Sequence, residues 1–594
     1  MVKRLKMSKT APDYHRTAAV PAVPISSPMK MLLGRCLALL LVSSFASKAS
    51  SKKCNVGIIS VTEGRLVGKE FETNKGTEFF AFLDVPYAEP PVGRLRFQEP
   101  VPIRKWPKIL NATANRRICA QFDPNVSGRD ARETEDCLVL NVYAPAETLC
   151  DAEQSSSPVL VFVHGGSFRS WDGAMGTFGP QYFMDEYVVM VSMNYRLGPL
   201  GFLNTGDDVI PGNLGLKDQL LALKWVSKNI KYFGGDADRV TLMGQSAGAM
   251  SVGYHLLNPQ SKGLFGAAIM HSASPLSCAA LQKHPLDAAV SLASEIDQSL
   301  SKSSNTTKIL DILQAATLEQ IQRAALSAKL PNNKMNCQLI GSLMWTPSGE
   351  PPGAKNPLVT GMNYDKAKAG QTLSVPLLIG VNSQESLYYG TSGIPLVAKL
   401  YDMDPSHMID ENLNIDRRKK RVAGQALKYL YTQTTFSSNM SAVIDFISDN
   451  YFNVPTMAFA SFHSQHSVVY AYQFAYKGPL GRLNSTFPGV GHGEELNYLF
   501  QNSYNEDLSR FPEEDVAAHE RVMVLWSQFI RSSFRHPTHS PSDLLEHVQW
   551  PMFQEKNLLQ LRIDRDLTVE KYTGKFRNWM NIVDLFGQPQ IDTF

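Results

Sequence analysis

The sequence predicts an α/β fold with a mostly parallel central sheet flanked by helices, on two observations. Short apolar runs rich in β-branched residues recur along the chain with helical stretches between them, as expected of strands buried on both faces. At one of these runs, Val240-Thr241-Leu242-Met243 passes through Gly244-Gln245-Ser246-Ala247-Gly248 into the helix-forming stretch from Ala249 to Leu257. That segment reads as strand, sharp turn and helix with a serine at the apex.

In chain order, residues 1–50 read as an N-terminal extension and signal peptide. From Met29 a lysine-bearing start leads into a short apolar stretch and then small residues. The basic stretch before Met29 leaves both initiation at Met29 and an uncleaved signal anchor open, while Arg35 in so short a stretch favours cleavage. Residues 51–594 read as one domain. Its expected strands are Val159–Val163, Val188–Met193, Val240–Met243, Ala267–Met270, Val375–Ile379 and Val468–Tyr472. Leu216 to Val226 carries apolar residues at helical spacing, as do Val516, Met523, Trp526 and Phe529 near the end. The basic run from Arg417 to Arg421 reads as a solvated face and is assigned no function. No later segment is apolar for long enough to span a bilayer, and the final residues show no hydrophobic tail for a lipid anchor. A secreted protein without a stable membrane anchor is the expectation.

The 594 residues are 43% hydrophobic, enough for one large core, and a net charge of +3 with 19% charged residues gives no field suited to nucleic acid. Of seven cysteines, Cys36 falls in the signal region and leaves Cys54, Cys119, Cys137, Cys150, Cys278 and Cys337. An even remainder suits an oxidising compartment, although six cysteines admit fifteen pairings. Asn111, Asn125, Asn305, Asn439 and Asn484 each begin an Asn-x-Ser/Thr sequon, which with the signal predicts glycosylated surface loops.

The chemistry follows from the serine. Acyl transfer needs a base for its proton, a carboxylate to orient that base, and donors for the oxyanion. His164-Gly165-Gly166-Ser167-Phe168 follows the Val159–Val163 strand, and its glycines let backbone N–H groups approach a carbonyl oxygen. With the N–H of Ala247 these would form an oxyanion hole. After the Val375 strand comes Asn382-Ser383-Gln384-Glu385-Ser386, and later Gly489-Val490-Gly491-His492-Gly493-Glu494-Glu495-Leu496. Ser246, Glu385 and His492 are in the serine, acid, histidine order expected of this architecture. No metal or cofactor is required.

At this point the chain resembles the type-B carboxylesterase and cholinesterase family, from about Cys54 to Trp550. The matching stretches are Val85-Pro86-Tyr87-Ala88, Pro90-Pro91-Val92-Gly93-Arg94-Leu95-Arg96-Phe97, Glu135-Asp136-Cys137-Leu138, Leu140-Asn141-Val142-Tyr143, Asn194-Tyr195-Arg196-Leu197-Gly198 and Gly212-Asn213-Leu214-Gly215-Leu216. The resemblance implies an α/β-hydrolase fold with Ser246 as nucleophile, Glu385 as acid and His492 as base. It also implies Gly166, Ser167 and Ala247 as oxyanion donors, a Cys119–Cys137 disulfide, and a Cys278–Cys337 pair. A small-molecule ester is the implied substrate; oligomeric state is left open. Two residues depart from the common pattern: Gln245 stands where most members carry Glu, as in insect juvenile hormone esterases, and Ser167 stands where Gly is commonest. Residues Ala120 to Asp136 contain no tryptophan, which disfavours the aromatic choline platform of cholinesterases.

The first rival expectation is a narrower substrate, juvenile hormone, suggested by Gln245. A second, from another class, is a catalytically inactive adhesion protein of the neuroligin or neurotactin kind, which shares the fold. The complete serine, acid and histidine set argues against the second.

Overall fold

The six apolar runs are neighbouring, mutually parallel strands at the centre of one sheet in a computed structural model. It describes residues 57–594 apart from 124–129, 151, 153–155, 301–304, 331–342, 390–392, 484, 486, 533–535, 539–542, 546 and 573–574. In chain order the strands of this sheet are β1 (Lys69–Glu72), β2 (Glu78–Pro86), β3 (Val139–Pro145), β4 (Ser157–Val163), β5 (Val189–Met193), β6 (Gly235–Gln245), β7 (Ala267–His271), β8 (Leu377–Asn382), β9 (Val469–Phe474), β10 (Leu559–Ile563) and β11 (Leu567–Lys571). Among the described residues their spatial order is β11-β10-β9-β8-β7-β6-β4-β5-β3-β2-β1. Pairing is parallel from β5 through β10 and antiparallel at both margins.

Strand identity and burial agree. Along β4, Val159, Val161 and Val163 enter one hydrophobic cluster while Leu160 and Phe162 enter the other. Both faces are therefore dry, which is why the central strands read as continuous apolar runs. Helix α1 (Leu214–Asn229) packs Leu216, Leu223 and Val226 into the first cluster, and α4 (Glu513–Arg531) packs Val522, Trp526 and Phe529 into the second. Helix α2 (Ala247–Leu257) starts directly after Ser246, and α3 (Arg417–Tyr429) carries the basic run on an exposed face, N-capped by Asp416.

Two differences from the sequence expectation have local causes. The strand at Val375 begins two residues later, because Pro376 has no N–H for a ladder and only its carbonyl is used, accepting from Ala268. The antiparallel strands β2 and β3 were not foreseen as strands, since Asp84 and Asn141 interrupt their apolar runs. Both are buried; across a bulge the Asp84 N–H donates to Asn141 Oδ1 at 3.0 Å, while the Asp84 carboxylate accepts from Asn115 Nδ2 and the Arg116 N–H.

Cys119 and Cys137 are joined by a disulfide, as the resemblance implied. Cys150 and Cys278 are also disulfide-bonded; Cys54 and Cys337 lie outside the described residues. Among the described residues no helix is long and apolar enough to cross a membrane.

Candidate active site

Three strand ends converge on the site: Ser246 follows β6, Glu385 stands three residues beyond β8, and His492 lies on the loop after β9. Ser246 is held at φ 55° and ψ −123°, a strained region for a residue with a side chain. Its own N–H donates to His271 O at 2.9 Å and its carbonyl accepts from Met250 at 2.9 Å, so the surrounding ladder and helix fix this turn. Ser246 is partly exposed although Gln245 and Ala247 on either side are buried. Gly248 makes the turn feasible, because a Cβ there would lie 2.1 Å from Val163 O.

Glu385 is fully buried and both its oxygens are engaged. Oε1 accepts from the Asn382 N–H at 2.6 Å, and Oε2 lies 2.7 Å from His492 Nδ1. A carboxylate only accepts, so Nδ1 carries the imidazole proton and Nε2 presents a lone pair. The Gln245 side-chain amide donates to that Nε2 at 3.2 Å. The His492 side chain is 7% exposed, with the Phe452 ring 4.5 Å from it, centroid to centroid.

The loop after β4 turns its amides toward the same region. Gly166, Ser167 and Phe168 have φ of 90°, 55° and 58°, a run that reverses the normal direction of the N–H groups. Gly166 bears this at no steric cost. A Cβ on it would also meet Ser170 O at 2.1 Å. Among the described residues the N–H groups of Gly166, Ser167 and Ala247 donate to no protein acceptor. Ala247 opens α2, whose dipole adds positive potential at that point. Behind the loop, His164 stacks on Tyr195 and accepts no charge, since burial lowers its pKa to about 4.

Three participants carried no readable signal in the sequence. Asn382 ends β8 and donates its side-chain amide to Gly491 O at 2.7 Å and to Glu495 Oε2, tying the Glu385 turn to the His492 loop. Glu495 is buried, with its pKa pushed up to about 7 by burial and by the neighbouring Glu385 carboxylate. Phe452 comes from a π-helical turn, Asp449–Asn453, distant in sequence from every motif. Of the sequons, Asn111, Asn305 and Asn439 are exposed, while Asn125 and Asn484 lie outside the described residues. The Oδ1 atoms of Asn305 and Asn439 accept from Thr307 N and Ala442 N as helix caps, which a glycan on Nδ2 would leave intact.

The arrangement offers a hydroxyl, an imidazole oriented with its lone pair at Nε2, and unpaired amides. Comparison with known proteins places this constellation in context: the carboxylesterase family model matches residues 55–579. Venom carboxylesterase-6 of Apis mellifera is 31% identical, covering 79% of this chain and 85% of that protein. Esterase FE4 of Myzus persicae is 31% identical over 90% and 95% of the two chains, and a juvenile hormone esterase of Tribolium castaneum is 30% identical over 78% and 82%.

Proposed function

The chain belongs to the carboxylesterase family and hydrolyses carboxylic esters, and we propose that it does so through an acyl-enzyme formed on Ser246. His492 Nε2 takes the hydroxyl proton as Oγ attacks the ester carbonyl, then delivers it to the departing alkoxide. Glu385 holds the imidazole in the Nδ1–H tautomer and stabilises the cation that forms. The N–H groups of Gly166, Ser167 and Ala247 stabilise the tetrahedral oxyanion. Water, activated by His492, then releases the acid. The observation that carries this reading is the 2.7 Å contact between His492 Nδ1 and Glu385 Oε2, which leaves the opposite ring nitrogen as a base.

The test is labelling with a small fluorophosphonate, which needs an activated serine. Stoichiometric modification is expected at Ser246 in the parent and none in Ser246→Ala, whose kcat falls on the order of 10⁴-fold or more. Ester turnover retained in Ser246→Ala would exclude the assignment, and an adhesion protein of the same fold would show no labelling at all.

We also infer secretion. Disulfide-bonded Cys119, Cys137, Cys150 and Cys278 suit an oxidising compartment, and three exposed sequon asparagines suit glycosylation. Expression in insect cells should place the protein in the medium with a mass that drops on deglycosylation; retention inside the cell would refute this.

The juvenile hormone reading is favoured by Gln245 and by the presence of juvenile hormone esterases of Tribolium castaneum and Heliothis virescens among the relatives. Turnover of that hormone by the purified protein decides it.

A further inference from the structure

Two cavities of unequal size border the site, one at the serine and one at the histidine. A cavity of about 10 Å³ is lined by Ser246, Ser167, Ala247, Phe168, Leu343 and Phe452. That is room for about one water-sized group. A second cavity, lined among others by His492, Gly493, Glu494, Trp171, Arg482 and Asn497, has a volume of about 560 Å³, within the range that holds a whole small-molecule ligand. Phe452 divides them, since it lines the first and its ring lies 4.5 Å from the imidazole that lines the second.

The chemistry of acyl transfer assigns each side, given the mechanism proposed above, on which this inference rests. The base that takes the serine proton must return it to the leaving oxygen, so the alcohol part of the ester lies on the His492 side. The carbonyl oxygen faces the amides of Gly166, Ser167 and Ala247, and the acyl chain is left with the small cavity beside those donors. We propose that the substrates are esters of a short acid, of acetyl size, with a bulky alcohol bearing polar groups. The large cavity mixes Trp171 with Arg482, Glu494 and Asn497, which suits hydrogen bonding as well as apolar contact. A longer acyl chain enters only if a lining side chain such as Phe168, Leu343 or Phe452 gives way, and the two rings are 0% and 2% exposed in a packed interior. This disfavours a long terpenoid acid esterified to methanol, which would need the opposite distribution of space.

The experiment is a two-way ester panel with the purified full chain: 1-naphthyl acetate, butyrate and octanoate, and methyl octanoate. kcat/KM should fall at least about thirtyfold from naphthyl acetate to naphthyl octanoate, and methyl octanoate should be the poorest substrate. Phe452→Ala should raise the octanoate to acetate ratio at least about tenfold. Leu343→Ala, a gentler enlargement of the same cavity, should move it the same way if Phe452→Ala folds poorly. Octanoate turned over as well as acetate, methyl octanoate preferred, or an unchanged ratio in the folded variants would overturn the proposal. Its failure is distinct from failure of the mechanism: a parent that labels with fluorophosphonate yet hydrolyses no short-acid ester refutes the size assignment alone, whereas a parent that does not label removes both.

Discussion

Gln245 stands immediately before Ser246 and reaches the His492 ring. Its amide donates to the His492 lone pair at 3.2 Å, whereas a carboxylate at that position would favour the imidazolium. Gln245→Glu should therefore move the acid limb of the kcat/KM profile to higher pH, because an adjacent negative charge stabilises the protonated base. A superimposable pH profile would show that the contact has no influence on the base. Asn382 acts by connection rather than by chemistry. Removing its amide in Asn382→Ala strands Gly491 O and Glu495 Oε2 in a buried setting, a cost of about 2–4 kcal/mol. Thermal stability should drop, and kcat should suffer more than KM because the His492 loop loses its tether. Both residues stood in the quoted motifs, yet neither contact could be read there, since each spans more than a hundred positions of chain.

Glycine and disulfide positions decide whether the elements can approach closely enough to build the site. β6 and α2 meet β4 at Gly248, where a Cβ would be driven against Val163 O. Gly248→Ala is expected to lower the melting temperature sharply and abolish fluorophosphonate labelling, while Gly349→Ala, which points into open space, should do neither. Equal behaviour of the two variants would mean that the turn tolerates a side chain. The Cys119–Cys137 disulfide closes a loop with a sequence separation of 18 residues. Replacing both with serine should cost about 3 kcal/mol through the freedom regained by the unfolded chain, measured by denaturant titration. The parallel strands were legible because both their faces are apolar. β2 and β3 were not, because a buried polar pair within them is satisfied only after the strands have paired. The π-turn at Asp449–Asn453 had no signal either, although such turns often mark functional sites.

Across the whole molecule, buried ionisable groups pull stability in opposite directions with pH. His255 and His271 are lowered to about 3 by burial, and His164, His463 and His519 to about 4. Each stays neutral in the folded state while the unfolded chain takes up a proton, so stability is complete above about pH 6.5 and falls as acid is added. Glu494 and Glu495 are raised to about 7, by burial first in both cases. Their contribution is complete below pH 4.5 and lost as pH rises through about 7, because the unfolded chain is then the one that ionises freely. Both changes fall between pH 4.5 and about 7, where the five histidines outweigh the two glutamates, so stability should climb across that range and level off above it. Glu495→Gln removes a contribution that is lost over the same range and should steepen the climb. Denaturation midpoints measured from pH 4.5 to 8.5 check this, and a fall in stability between pH 4.5 and 6.5 in the parent would contradict it.

The six central strands, the serine at its turn, and the chain order of acid and base were legible in the sequence alone, because hydrophobic period and glycine placement are local properties that survive without a partner. The tertiary structure alone decided which imidazole nitrogen keeps the proton, which amides stay unpaired, and how unequal the cavities at Ser246 and His492 are. Those depend on distances between residues brought together from β4, β6, β8 and the Asp449–Asn453 turn. Only the packing of the complete chain sets such distances.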